Sequence, residues 1–224
     1  MLEIGGETVL EKIIGNYANL REKHFVFVLN QKDCMDFHID KSAKIITDSE
    51  SSIIILKNQT GGALCTCLLA IKEINTNEPL VIANCDQIID VDYKDVLEYF
   101  ESKDYDAGVI TFPSIHPRWS YVRMENEYVI EVAEKRPLSK HAIAGFYYFK
   151  HGADFIEAAK RTILKENSLN DKYYISCSLN EMILMNKRVG IYEIDKEKYH
   201  SFYSPDKIRA VSYTHLTLPT NSRV

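Results

Sequence analysis

The sequence predicts an α/β protein: a mostly parallel sheet with helices on both faces and a small antiparallel subregion set into it. Three observations carry this. Short β-branched runs alternate with helix-periodic segments at βαβ spacing through the first half of the chain. The middle changes to two strand-like runs, WSYVRMEN and EYVIEVAEK, around a turn at Glu125 and Asn126. The last third then returns to helices followed by strands.

In order along the chain, residues 7–20 place Val9, Leu10, Ile13, Ile14 and Tyr17 at helical spacing behind Thr8. HFVFVLN (24–30) and SSIIILKN (51–58) read as strands, with a short helix expected over 31–40. After Gly61-Gly62, ALCTCLLAIKEI suits one helix packed on a sheet. LVIAN (80–84) is a third strand, DYKDVLEYFESK a helix and DAGVITF (106–112) a fourth strand. HAIAGFYYFK is a further strand; HGADFIEAAKRTILKEN and DKYYISCSLNEMILMNK are helices, and VGIYEIDKEKYHSFY is read as strands.

The 224 residues suit one domain, and 46% hydrophobic with 26% charged residues is ordinary for a globular chain. A net charge of −5 without a polybasic block argues against a nucleic-acid or anionic-membrane binder. No apolar run approaches the roughly 20 residues that span a bilayer. The first residues carry acids where a secretion signal would carry bases, so a cytoplasmic protein is expected. Five cysteines, an odd number without CxxC spacing, read as reduced thiols rather than disulfides or zinc ligands.

Residues 211–224, VSYTHLTLPTNSRV, differ in character from the Lys/Glu/Ile-rich chain before them. They read as the in-frame translation of a sequencing-library adapter, a scar to be left out of fold reasoning. The expected division is therefore a partial domain over 1–210 and a non-native tail over 211–224.

Three polar clusters fall where open α/β sheets bind ligands, at the carboxyl ends of strands. Gln59-Thr60-Gly61-Gly62 lies between a strand and a helix. Its glycines either admit a base or phosphate to the backbone or simply make a turn. Asn84-Cys85-Asp86-Gln87 ends a strand, and Asp86 there is balanced between a Mg²⁺ ligand and a local cap. Asp90 and Asp92 read as caps of the next helix. Glu134-Lys135-Arg136-Pro137 sets acid beside base, which suits either a solvated charge run or a grip on a sugar hydroxyl and a phosphate.

In this order and spacing the clusters resemble the sugar-1-phosphate nucleotidyltransferases, nucleotide-diphospho-sugar pyrophosphorylases with a GT-A-like, Rossmann-like sheet. LEIGGETVLEKIIGNY resembles the family's first helix and its lead-in. QTGGALCTCLLA resembles the base-recognition turn and helix, LVIANCDQIID the strand ending in the metal-binding Asp, and VAEKRP the Glu-Lys-Pro sugar-phosphate motif. AIAGFYYF and DKYYISCSLNEMI resemble the strand and late helix that follow. The likeness covers about residues 1–208.

The resemblance implies transfer of a nucleotidyl group from an NTP to a sugar 1-phosphate, with Asp86 holding Mg²⁺ and Asp86 and Lys135 as the catalytic residues. It places Gln59, Thr60, Gly61 and Gly62 at the nucleobase and Asn84 and Gln87 beside the nucleotide. Glu134 falls at the sugar hydroxyls, Lys135 at the sugar phosphate, and Gly145 gives backbone room at the sugar. The implied partners are NTP and sugar 1-phosphate, with no nucleic acid and no membrane span; assembly as a homo-oligomer is left open.

Departures from the pattern shape the expectations. The family's first strand and glycine-rich phosphate loop would precede Met1, so residues 1–224 alone are expected to turn over little or not at all. Ser201 falls near the family's second metal-ligating Asp, with 203–206 in place of the turn after it. Ser120 stands where a Gly is expected, and Arg136 is inserted before Pro137. Two other readings stay open: a GT-A glycosyltransferase, and a homologue that binds sugar nucleotide without turning it over. An Asp-x-Asp would mark the former, whereas Gln87-Ile88 follows Asp86.

Overall fold

The computed structural model describes residues 3–4, 6–20 and 22–202. The adapter-like tail and the turn at 203–206 lie outside the described residues. The hairpin β1 (Glu3–Ile4) and β2 (Glu7–Thr8) runs into α1 (Val9–Gly15). Thr8 and Glu11 form a capping box: Glu11 N donates to Thr8 Oγ1, and Thr8 N donates to the Glu11 carboxylate. The expected helix over 7–20 stops early because Gly15 and Asn16, both poor helix formers, follow one another.

β3 (Phe25–Asn30) pairs in parallel with β4 (Ser51–Leu56), and the connection holds two helices where one was expected. α2 (Gln31–Phe37) ends at His38, whose left-handed backbone (φ 52°) breaks the helix before α3 (Ile39–Ile46). The next expected helix is likewise two pieces, α4 (Ala63–Leu68) and α5 (Ile71–Ile74), parted at Leu69 and Ala70. After β5 (Leu80–Ala83) comes a short strand the sequence did not announce, β6 (Gln87–Ile89). Asp92 caps α6 (Tyr93–Ser102), its carboxylate accepting from Lys94 N at 2.9 Å. Asp90 does not cap it; the Asp90 backbone N–H instead donates to Lys198 O. The remaining described residues form β7 (Ala107–Pro113), β8 (Ser120–Glu125), β9 (Tyr128–Glu134), β10 (His141–Phe149), α7 (Gly152–Leu164), α8 (Ile175–Leu184), β11 (Val189–Glu193), a 3-10 turn (Lys196–Lys198) and β12 (Tyr199–Ser201).

The main sheet has six strands in the order β11-β7-β10-β8-β9, with β5 also on β10. Strands β5 and β7 are both antiparallel to β10, and β11 is parallel to β7. Four strands, β5, β7, β8 and β11, thus run one way, and the long β10 and β9 run against them. One edge of β10 carries β7; the other is shared, with β8 at Ala142 and β5 from Phe146 to Phe149. The β7 register also shifts between Ile143 and Tyr147, so the ladder opens around Ala144 and Gly145.

Side chains of β10 alternate between two apolar cores, as a strand covered on both faces requires. Tyr147 and Phe149 join Leu64, Phe155, Leu179 and Met182 on the face covered by α4, α7 and α8. Phe146 and Tyr148 join Tyr93, Val96 and Phe100 on the face covered by α6. No described helix is long and apolar enough to cross a membrane.

An ion-pair group ties together the start of β7, the end of β10 and the start of β11. Asp104 pairs with Lys150 at 2.6 Å and with Arg188, whose backbone N–H donates to Asp106. The hydrogen bonds from Lys150 and then Arg188 bring the Asp104 pKa down to about 2. A depressed carboxylate contributes stability that is full above roughly pH 4 and lost as pH falls through about 2. Asp104→Asn is therefore expected to be less stable than wild type near neutral pH, the gap closing between about pH 4 and pH 2. Urea midpoints at each pH read this directly. Because the pair is exposed, added salt should shrink the gap.

Candidate functional site

Asp86 sits in the loop between β5 and β6, exposed, and its carboxylate makes no hydrogen bond or ion pair among the described residues. Its backbone is fixed instead: Phe202 N donates to Asp86 O at 2.8 Å, and β12 pairs with β6 so that Ser201 lies opposite Gln87. Ser201 therefore comes close to Asp86 along the ladder, bringing a hydroxyl. Among the described residues no three His, Cys, Asp or Glu side chains gather as a metal cage. A single open carboxylate still fits Mg²⁺, which takes one or two acids and fills its shell with waters and substrate phosphate.

Gly145 stands at the opening in β10, with a left-handed φ of 67°. A Cβ there would lie 2.4 Å from Asn84 Nδ2 and 2.7 Å from Gln87 Oε1. The space over this glycine is thus taken by the two side chains that the family resemblance puts beside the nucleotide. Asn84 N donates to Gly145 O at 3.0 Å, and the Gln87 amide donates to Ala144 O while accepting from Tyr199 OH at 3.2 Å. Gln87 is buried, so its amide shapes the loop from below; Asn84 remains exposed above it.

Glu134 ends β9 opposite Ser120 of β8. Its Oε2 accepts from Ser120 Oγ and, at 2.7 Å, from Ser176 Oγ at the start of α8. Lys135 follows in a left-handed conformation (φ 53°), uncommon for a non-glycine residue. Lys135 Nζ donates to Tyr174 OH at 2.9 Å and lies 5.1 Å from that ring's centroid. The hydrogen bond that Lys135 donates to Tyr174 is the main cause of the rise in the Lys135 pKa, so it stays a cation. Arg136 turns outward to pair with Glu131 at 3.0 Å, which leaves Lys135 as the cation beside Glu134.

The glycine turn before α4 is explained by packing. Gly62 has φ 128°, and a Cβ on it would lie 2.4 Å from Tyr173 O and 2.6 Å from Tyr173 N. Tyr173 N donates to Gly61 O at 2.7 Å, and Leu64 N donates to Tyr173 O at 3.1 Å. Thr60 is engaged locally, its hydroxyl 2.7 Å from that of Thr66. Gln59 is exposed with no hydrogen bond among the described residues, so of the four it is the side chain open to a ligand.

Three residues to which the sequence reading gave no role, Tyr173, Tyr174 and Ser176, organise the site together with Ser120, which it read only as a departure from the family pattern. The Tyr173 backbone holds the glycine turn, Tyr174 holds Lys135, and Ser176 holds Glu134. The Tyr-Tyr-x-Ser run before and into α8 is the only local signal of this, and nothing in it names its distant partners. A surface hollow of about 700 Å³ lies elsewhere against α6, where Asp92, Asp95, Glu98 and Glu101 outnumber the one described cation, Lys94. We place the site at the convergent polar groups, because that hollow presents a net negative lining to any phosphate.

A family model described as nucleotidyl transferase matches residues 1–190. No curated protein sequence matches the chain. Similar solved structures include the nucleoside-diphosphate-sugar pyrophosphorylase from Vibrio cholerae RC9, 20% identical, covering 95% of this chain and 90% of that one with a TM-score of 0.80. A UDP-glucose pyrophosphorylase complexed with UDP-glucose is 16% identical, covering 96% and 89%, with a TM-score of 0.76. The inositol-1-phosphate CTP transferase from T. maritima is 10% identical, covering 97% and 87%, with a TM-score of 0.71. At such identities the structures speak for a shared fold, while the match over 1–190 goes further: the chain belongs to the nucleotidyl transferase family.

Proposed function

We propose that these residues serve the transfer of a nucleotidyl group from a nucleoside triphosphate to a sugar 1-phosphate, in the cytoplasm and for polysaccharide synthesis. The observation that carries this reading is the pair Glu134 and Lys135, an open carboxylate oxygen beside a positioned cation at one strand end. In the reaction an oxygen of the sugar phosphate forms a bond to the α-phosphorus, and the bond to the β-phosphate breaks, releasing pyrophosphate. That oxygen is already ionised at neutral pH, so no general base is required, and positioning and charge neutralisation remain. Lys135 neutralises the sugar phosphate, Glu134 accepts from sugar hydroxyls, and Asn84 and Gln59 border the nucleotide. Mg²⁺, held by Asp86 together with phosphate oxygens, would neutralise charge on the triphosphate.

Calorimetry with glucose, mannose, galactose and N-acetylglucosamine 1-phosphates tests this. At least one is expected to bind, and Lys135→Met should weaken that binding roughly tenfold or more, the scale of a charge-assisted contact. Binding of none, or equal binding by the variant, sinks the reading.

The family match favours nucleotidyl transfer over glycosyl transfer. One observation favours a homologue that binds without turnover: Ser201, the ladder neighbour of the Asp86 loop, brings a hydroxyl and not a second carboxylate. Tight binding of a nucleotide-sugar with no pyrophosphate release would support it.

A further inference from the structure

Glu134 is held in an asymmetric way. Both hydroxyl groups within reach, Ser120 on the strand beside it and the buried Ser176 on α8, donate to the same oxygen, Oε2. Oε1 accepts nothing from any described residue. Beneath them the buried Tyr147 hydroxyl lies beside Ser120, and burial, then the charge of Glu134, push that phenol upward and keep it neutral. The carboxylate is therefore fixed from below by a neutral hydroxyl layer and is open on one atom only.

We infer that Ser120 and Ser176 are positioning residues, a two-hydroxyl clamp that locks the Glu134 side chain so that Oε1 alone is presented to a sugar hydroxyl. This rests on the proposed reading of Glu134 as the sugar-binding acid. An unclamped glutamate samples several rotamers and must lose that freedom when ligand binds; a clamped one has lost it beforehand. An acceptor-only oxygen also selects chemistry: it takes a hydroxyl and rejects phosphate, which leaves the phosphate to Lys135.

The experiment compares sugar 1-phosphate with inorganic phosphate as calorimetric probes, using the sugar 1-phosphate that wild type binds best. Ser120→Ala/Ser176→Ala is expected to weaken the sugar 1-phosphate roughly tenfold, with inorganic phosphate unchanged. Ser120→Thr, which keeps the hydroxyl and suits a strand, should bind as wild type does. Melting temperatures check that each variant folds; if the double variant does not, Ser120→Ala alone carries the test, with a loss of about threefold expected.

Glu134→Ala separates the two levels of the argument. If it weakens only the sugar probe while the serine variants change nothing, the clamp is wrong and the sugar-binding acid stands. If Glu134→Ala leaves sugar 1-phosphate binding intact, the acid's role falls and the clamp falls with it. Equal loss of both probes in the serine variants would also overturn the clamp, because it would mark general damage to the site.

Discussion

Gly62→Ala is expected to destabilise the protein by about 3 kcal/mol or more, a large fraction of the stability of an ordinary domain. Two causes add. A φ of 128° is strained for any residue with a Cβ, and the added atom would meet the Tyr173 backbone at 2.4 Å and 2.6 Å. Side chains can swing away from such a contact, but this backbone is held on both sides by hydrogen bonds to Gly61 and Leu64. Relief must therefore break at least one of them. Gly61→Ala is the control: its Cβ would meet Cys65 Sγ at 3.4 Å and Tyr173 Cδ2 at 3.6 Å, ordinary contacts at a φ that is not positive. Urea midpoints of the two variants should differ widely; equal midpoints would show that the Tyr173 contact yields easily.

Asp86→Ala is expected to act on triphosphate binding in opposite directions without and with Mg²⁺. Without Mg²⁺ an exposed carboxylate repels a triphosphate, so the alanine variant should bind as well as wild type or better. With Mg²⁺ the same carboxylate becomes an attachment point, and the wild type should lead by a factor on the order of a hundred. Titrations of ATP, GTP, CTP, UTP and dTTP, each in EDTA and in Mg²⁺, measure both arms. The same Mg²⁺ enhancement in both proteins would remove Asp86 from the metal site. The crossing distinguishes a ligand from a structural residue, whose loss would weaken both arms alike.

Much of the architecture was legible because it follows from local chemistry. Residues 25–30, 51–56 and 80–83 are β-branched or aromatic runs, and they are strands. Asp92 announces α6, and Asn126 with φ 53° makes the β8–β9 turn where it was expected. What the sequence hides depends on distant partners. His38 breaks a helix by adopting a backbone angle that its neighbours do not foreshadow. β6 exists because β12 pairs with it, and Gln87 has no pattern that reveals Ser201.

The candidate site divides the same way. Asp86, Glu134 and Lys135 are exposed or half-exposed groups at strand ends, which position alone suggests. Gly62 was read as either a turn or room for a ligand, and Gly145 by resemblance as room at the sugar; their nearest neighbours within the fold are Tyr173 for the first and Asn84 and Gln87 for the second. A glycine in a sequence shows that something comes close; only the fold shows what. Ser120, read as a departure from the family pattern, donates its hydroxyl to Glu134.

The stretch from Tyr173 to Ser176 fastens the glycine turn, Lys135 and Glu134 within four residues. Such concentration has an evolutionary consequence. A side-chain change there touches one of the three, but an insertion or deletion that shifts its backbone moves all three together, so such changes are penalised more than once. Gln59, exposed and without a described partner, carries no such linkage. Natural variation in ligand choice should therefore accumulate at independent positions of that kind, while the four-residue fastening stays as it is.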